Sequence, residues 1–269
     1  MSYNRIDLGN AEDLIPTLPD SSVGLTFTSP PYALQRKKQY GGVSEADYPA
    51  WFTDRIMRPL MPKMRPDGNV LINIKGHVRE GQVSDYVYRL ILAIRDAGWI
   101  QPDEIIWHSP DKPPLGRTKD RPRRTWEHLL WFSPSRRPFI DVRACSTGDA
   151  NWAAGRSRKK NHLVNGKQVF KFKGEKQRAR ITDIVTASIG GITKNVPHPA
   201  MFPAALPEFI IKTFSRPMDV VVDPFVGSGT TVLAAQNLGR RYWGCDRSAE
   251  YVILARRRLL DLLDARRAG

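Results

Sequence analysis

The sequence predicts an α/β fold in which a mostly parallel sheet is covered by helices on both faces. Three observations lead there. Apolar runs of strand length alternate along the chain with stretches of helical periodicity, as in parallel sheets with crossover helices. The run Val220-Val221-Val222-Asp223 enters a glycine turn, Gly227-Ser228-Gly229, which opens directly into a helical stretch. A chain of 269 residues with 41% hydrophobic content is long enough to bury one sizeable core, with room for a small lobe.

In chain order, residues 23–27 read as a strand stopped by Pro30 and Pro31. Residues 47–64 read as one or two helices, and 69–74 as a buried strand after the turn Pro66-Asp67-Gly68. Residues 83–97 carry apolar residues at helical spacing and end at Gly98, a natural C-terminal stop. Residues 104–108 and 128–132 follow as a hairpin with a long basic loop. Between 133 and 195 the apolar periodicity fades and Gly, Lys, Arg and Asn dominate, which predicts an inserted lobe with disorder as a competing reading for part of it. Regular structure resumes with a helix over 203–214, strands over 219–222 and 242–245, and helices over 230–238 and 249–265. Residues 1–132 and 196–269 thus form two parts of one domain, interrupted by 133–195.

The formal charge of +15 favours a polyanionic partner, with nucleic acid first among the candidates. Basic residues cluster at 117–124, 156–160 and 167–180, a distribution that suits a binding surface better than a uniformly solvated one. The two cysteines, Cys145 and Cys245, are too few and too far apart for a tetrahedral zinc site, so no metal is expected and a reduced, cytoplasmic compartment fits. Residues 1–9 lack a signal-peptide core, and no apolar run approaches the roughly 20 residues that span a bilayer, so no membrane partner is expected.

Two constellations carry chemistry. In Asp223-Pro224-Phe225-Val226-Gly227-Ser228-Gly229-Thr230, glycines let a ligand approach the backbone at the carboxyl end of a strand. The next strand ends at Asp246, placed to accept ribose hydroxyls of a nucleoside cofactor. The spacing is not that of a dinucleotide fingerprint, and no P-loop lysine is present. Asp223 at the strand end disfavours a pyrophosphate and suits a cationic ligand, a requirement that S-adenosylmethionine meets with its ammonium and sulfonium. Taken alone, Gly-x-Gly is also an ordinary glycine-rich turn.

The second constellation is Thr28-Ser29-Pro30-Pro31-Tyr32. The exocyclic amine of a nucleobase is a poor nucleophile because its lone pair is delocalised into the ring. The Ser29 hydroxyl and the Pro30 carbonyl can accept its N–H bonds and free that pair, while the prolines fix the direction of the carbonyl. Tyr32 offers a ring on which an extruded base can stack. A lone Ser-Pro-Pro-Tyr is equally a proline-stiffened turn; its place after an apolar strand, together with the glycine turn, argues for chemistry.

On these residues the chain resembles the amino-group DNA methyltransferases, specifically the permuted beta class in which the Ser/Asp-Pro-Pro-Tyr segment precedes the Phe-x-Gly-x-Gly segment. The resemblance extends over Asn10-Ala11-Glu12-Asp13-Leu14, Ile106-Trp107, the segment from Glu127 to Phe132, the segment from His198 to Pro203, Tyr242-Trp243-Gly244-Cys245-Asp246 and the run from Tyr251 to Leu259. It implies a Rossmann-like fold with a seven-stranded sheet, S-adenosylmethionine as cofactor and double-stranded DNA as substrate. Ser29, Pro30, Pro31 and Tyr32 would be catalytic. Phe225, Gly227 and Gly229 would form the methionine side of the cofactor pocket, with Thr28, Asp223, Pro224, Ser228 and Thr230 around them. Asp246 would hold the ribose, Asn10 and Ala11 would lie near the adenine, and His198, Pro199 and Phe202 would close over the cofactor. The basic middle region has the family position of the target-recognition segment, in which Trp152 and Phe170 are candidate wedges or small-core residues. A companion restriction endonuclease and a homodimer are compatible with the resemblance.

The family often carries an acidic residue in the strand before the catalytic loop, where this chain has Gly24. Ser29 in place of Asp resembles the cytosine-modifying members, although some adenine enzymes share it. The reading is therefore direct in-line methyl transfer to the N4 amine of a flipped cytosine, without a covalent intermediate, since no cysteine stands in a nucleophilic motif. The alternatives are an N6-adenine enzyme, an RNA methyltransferase with similar Pro-Pro-Tyr chemistry, and a non-catalytic DNA-binding protein of the same fold.

Overall fold

A computed structural model of the chain describes residues 3–33, 42–112, 121–145, 162–164, 167–169, 180–189 and 202–268. From the N-terminus, β1 (Arg5–Leu8) leads into the short helix α1 (Ala11–Leu14), and β2 (Val23–Thr28) follows. Helix α2 (Tyr48–Phe52) continues through a π-helical turn (Thr53–Met57), a short α segment (Arg58–Leu60) and a 3-10 turn (Met61–Lys63) into β3 (Met64–Ile74). A small hairpin, β4 (Val78–Arg79) and β5 (Gln82–Val83), precedes α3 (Tyr86–Asp96). Next come β6 (Glu104–His108), β7 (Trp126–Phe132), a separate hairpin of β8 (His162–Val164) and β9 (Lys167–Val169), and β10 (Ile184–Thr186). The chain closes with α4 (Ala205–Phe214), β11 (Val220–Asp223), α5 (Thr230–Asn237), β12 (Arg241–Asp246) and α6 (Ala249–Ala268).

The main sheet runs in the order β1-β12-β11-β2-β3-β7-β6-β10. Only β7 runs antiparallel to its neighbours. β2 and β11 are buried along their whole length because they lie in the middle of the sheet with both faces covered. One face packs α1, the α2 run and α3 over Val70, Ile72, Val222 and Trp243; the other packs α4, α5 and α6 over Leu25, Phe27, Leu71 and Val221.

Among the described residues the sheet therefore has eight strands where seven were expected. β1 had no predicted counterpart, being four residues long with Ile6 its one buried position. β10 lies inside the polar stretch and adds parallel to β6; of its three side chains only Val185 is buried, so no apolar run announced it. Two described stretches of the segment expected as an inserted lobe, 133–195, pack on the sheet. Asn69 donates to the Phe139 carbonyl at 2.7 Å, and the Trp107 indole donates to the Ala187 carbonyl at 2.9 Å. Helix α3 begins later than its periodicity suggested because Val83 pairs with Val78 in the small hairpin.

The topology brings the carboxyl ends of β1, β12, β11, β2 and β3 to one edge of the sheet. Because β7 is antiparallel, its first residues reach that edge as well, with His128 opposite Ile74. In open α/β sheets this is the edge where ligands bind.

Candidate active site

At this edge a solvent-open cleft of about 600 Å³ is lined by Asn10, Ala11 and Glu12 from the β1–α1 junction, Pro31 and Tyr32 after β2, Gly42 and Val43, Tyr48 and Trp51 on α2, Pro224 and Phe225 after β11, and Asp246 and Arg247 after β12. Six residues expected to touch the cofactor or the base thus line one cleft alongside Tyr32: Asn10, Ala11, Pro31, Pro224, Phe225 and Asp246.

Asp246 is fixed by the main chain. Its two carboxylate oxygens accept the amides of Gly227 at 3.0 Å and Ser248 at 2.9 Å. Burial raises its pKa and these two amides partly offset the rise. Glycine is required in the turn. Gly229 has φ +86°, and a Cβ there would lie 2.9 Å from that of Ala255. On the far wall, Phe225 lies 6.4 Å from Phe52 and 6.5 Å from Trp51, whose indole donates to Glu12 at 2.8 Å. The Phe225 ring thus packs on an aromatic support, stacked on Phe52 and tilted against Trp51, contacts worth about 0.5–1.5 kcal/mol per ring pair beyond buried area.

Thr28, Asp223, Gly227, Ser228, Gly229 and Thr230 lie beneath this surface. The Thr28 hydroxyl donates to Asp223 Oδ1 at 2.7 Å and the Phe225 amide donates to the same oxygen at 3.2 Å. Burial pushes Asp223 up to about 6, against the pull of these donors. Asp223 thus ties the end of β2 to the glycine turn. The Ser228 carbonyl accepts from Arg258 at 2.5 Å. Ser29 is half-buried and Pro30 buried. Phe202 stands 5.2 Å from Phe27 on the other face of the sheet and does not line the cleft. His198 and Pro199 lie outside the described residues, as do Trp152 and Phe170.

Tyr32 is held by residues that sequence reasoning had not assigned to the site. Its hydroxyl donates to Glu127 Oε2 at 2.9 Å, and Asn73 donates to the same carboxylate oxygen at 2.9 Å. Lys112 forms an ion pair with the other oxygen of Glu127. Burial and the Glu127 charge drive the Tyr32 phenol well up, so it stays protonated and donating. Glu127 is itself held low: burial opposes its ionisation, but Lys112 and then Lys75 outweigh it. Lys75 is brought down to about 8, chiefly by burial. The available signal was Asn73 inside the apolar run Leu71-Ile72-Asn73-Ile74 and the polar pair Glu127-His128 at the head of the apolar run Leu129-Leu130-Trp131-Phe132.

Gly24 also acquires a reason. A Cβ there would lie 2.7 Å from the carboxyl carbon of Asp219, which holds Arg65 at 2.8 Å. That carboxylate occupies the space a side chain at position 24 would need.

The DNA methylase family, of N6 and N4 type, matches residues 23–257. The type II methyltransferase M.PvuII of Proteus hauseri is 29% identical over 286 residues, covering 97% of this chain and 84% of that protein. A solved structure described as PvuII DNA methyltransferase (cytosine-N4-specific) superposes with a TM-score of 0.74 at 25% identity, covering 98% of this chain and 92% of that one. A DNA modification methylase of Thermus thermophilus, described as putative and solved in complex with S-adenosyl-L-methionine, gives 0.63 at 25% identity, covering 96% and 93%.

Proposed function

The chain belongs to the N6/N4 DNA methylase family, which uses S-adenosylmethionine, and from that premise we propose that it methylates the exocyclic N4 amine of cytosine in double-stranded DNA. The observation that carries the reading is that Pro31 and Tyr32 share one cleft with Phe225 and Asp246, tied together below by the bond from Thr28 to Asp223.

The residues present fit the cofactor. The Asp246 carboxylate, held by two amides, would take the ribose hydroxyls, and Asn10 and Ala11 would flank the adenine. Phe225, Gly227 and Gly229 would form the methionine side. When bound, the cofactor supplies an electrophilic methyl group on a sulfonium.

The chain's own task is to present the amine. The Ser29 hydroxyl and the Pro30 carbonyl would accept its two N–H bonds, turning the nitrogen lone pair out of conjugation and toward the cofactor side of the cleft. Tyr32 would stack on the base once it has left the duplex. Neither described thiol is activated as a nucleophile, since burial raises the pKa of Cys145 as well as that of Cys245. Cys245 is buried with its thiol donating to the Pro224 carbonyl at 3.3 Å, and burial drives its pKa well up. Cytosine is favoured over adenine by Ser29 at the head of the loop and by the cytosine-N4 specificity of the PvuII enzyme. The net charge of +15 suits the DNA backbone, and the region 133–195 is the proposed source of base-reading contacts.

Mass spectrometry of nucleosides from DNA incubated with the protein and S-adenosylmethionine tests the reading. N4-methylcytosine is the expected product. N6-methyladenine would overturn the choice of base, and unmodified DNA would overturn the activity.

A further inference from the structure

The prolines of the catalytic loop fix the backbone but leave the Tyr32 ring two soft side-chain torsions. The first is settled at the far end of the ring, where the phenol donates to Glu127 at 2.9 Å, and the preference of a phenol O–H for the ring plane biases the second toward one orientation. Both oxygens of that carboxylate are engaged. Oε2 takes Tyr32 and Asn73, and Oε1 takes Lys112, whose ammonium also sits 4.4 Å above the Trp107 ring. The Asn73 amide reaches the Tyr32 hydroxyl as well, at 3.3 Å. Four elements converge on one oxygen pair: the loop after β2, the carboxyl end of β3, the amino end of β7 and the segment after β6.

The side chains of Lys112 and Glu127 are only 13% and 11% exposed. A buried ion pair is a poor way to gain stability, because desolvation offsets most of the attraction and an apolar pair of the same volume often serves better. What it offers is direction, in this case a fixed acceptor for one phenol.

Resting on the assignment of residues 29–32 as the catalytic loop, we propose that Glu127, braced by Lys112 and Asn73, is a positioning residue that holds the Tyr32 ring in the orientation that receives the extruded base. Glu127 touches neither cofactor nor base in this account and acts through Tyr32 alone. Its loss should then slow methyl transfer without weakening cofactor binding, since the Asp246 end of the cleft is held independently.

The test compares Glu127→Ala, Glu127→Gln, Tyr32→Phe and the Tyr32→Phe/Glu127→Ala double variant. Each is assayed for single-turnover transfer to DNA and, by calorimetry, for S-adenosylmethionine affinity. Glu127→Ala is expected to slow transfer about 10- to 100-fold, the scale of a misplaced reacting group, with cofactor affinity unchanged. Glu127→Gln, which still offers an acceptor, should recover most of the rate, and the double variant should be no slower than Glu127→Ala alone. Transfer by Glu127→Ala at the wild-type rate, equal losses for Gln and Ala, or losses that multiply in the double variant would each overturn the proposal. Should Glu127→Ala fail to fold, Tyr32→Phe keeps the ring and removes only the donor, and a wild-type rate there overturns it as well. A wild-type protein that methylates no DNA overturns the functional reading beneath it, a result distinct from all of these.

Discussion

At the turn between β11 and α5 the cleft is held by main-chain hydrogen bonds, whereas at the end of β2 it is held by side chains borrowed from three other places in the chain. The Asp246 carboxylate accepts amides from Gly227 and Ser248, one 19 residues away and the other two. Tyr32 depends on Glu127, 95 residues away, and through it on Asn73 and Lys112. The first arrangement is rigid and local, as befits a pocket for a cofactor of constant shape. The second lets several elements set the angle of one ring, as befits a site that must accept a base arriving from outside.

The two ends are joined by the bond from Thr28 to Asp223, and removing the charge there is expected to have the larger effect on the fold. Asp223 is pushed from the ordinary carboxylate value of 3.8 up to about 6, so the native state holds a proton that the unfolded chain releases. Its contribution is therefore fully present below about pH 4 and is lost as pH rises through 6. The shift corresponds to about 3 kcal/mol. Asp223→Asn should be free of this loss, so its stability relative to wild type, measured by chemical denaturation, should rise between pH 4 and pH 7. A gap that stays constant with pH would show that Asp223 does not titrate in that window.

Asp246→Asn should act on binding, and less strongly. The amide of asparagine can still accept one backbone N–H but loses the charge and one acceptor, so cofactor affinity by calorimetry should fall about tenfold, near 1.4 kcal/mol. Methyl transfer at saturating cofactor should change little, because the support of Tyr32 lies elsewhere. An equal loss in both quantities would mean that the two ends of the cleft are not independent.

The same contrast explains what could be read from the sequence. Asp223 to Gly229 is legible because strand, turn and helix follow one another within a dozen residues, and the helical periodicity after Gly229 marks where the turn must end. Asp246 is legible because it ends the next strand. Ser29 to Tyr32 is legible as a loop, since consecutive prolines after an apolar strand leave little else. Glu127 and Asn73 are not: whether each faces Tyr32 depends on the antiparallel register of β3 and β7, in which Asn73 lies opposite Leu129, and nothing local fixes that register. β10 escaped notice for a related reason, since its partner β6 lies some 80 residues earlier and only Val185 is buried. Phe202, which family position assigned to the cofactor side, packs on Phe27, a contact that no local pattern announces.

The central claim is that the loop at Ser29 performs chemistry on a base brought beside a cofactor held at Asp246. Transfer of tritiated methyl groups from S-adenosylmethionine to DNA by wild type and by Ser29→Ala, with cofactor affinity measured in parallel, tests it most directly. The account predicts labelled DNA with wild type and a loss of roughly 100-fold in turnover for Ser29→Ala, the scale attached to a lost positioning group, with affinity unchanged. A Ser29→Ala protein that turns over at the wild-type rate would contradict it.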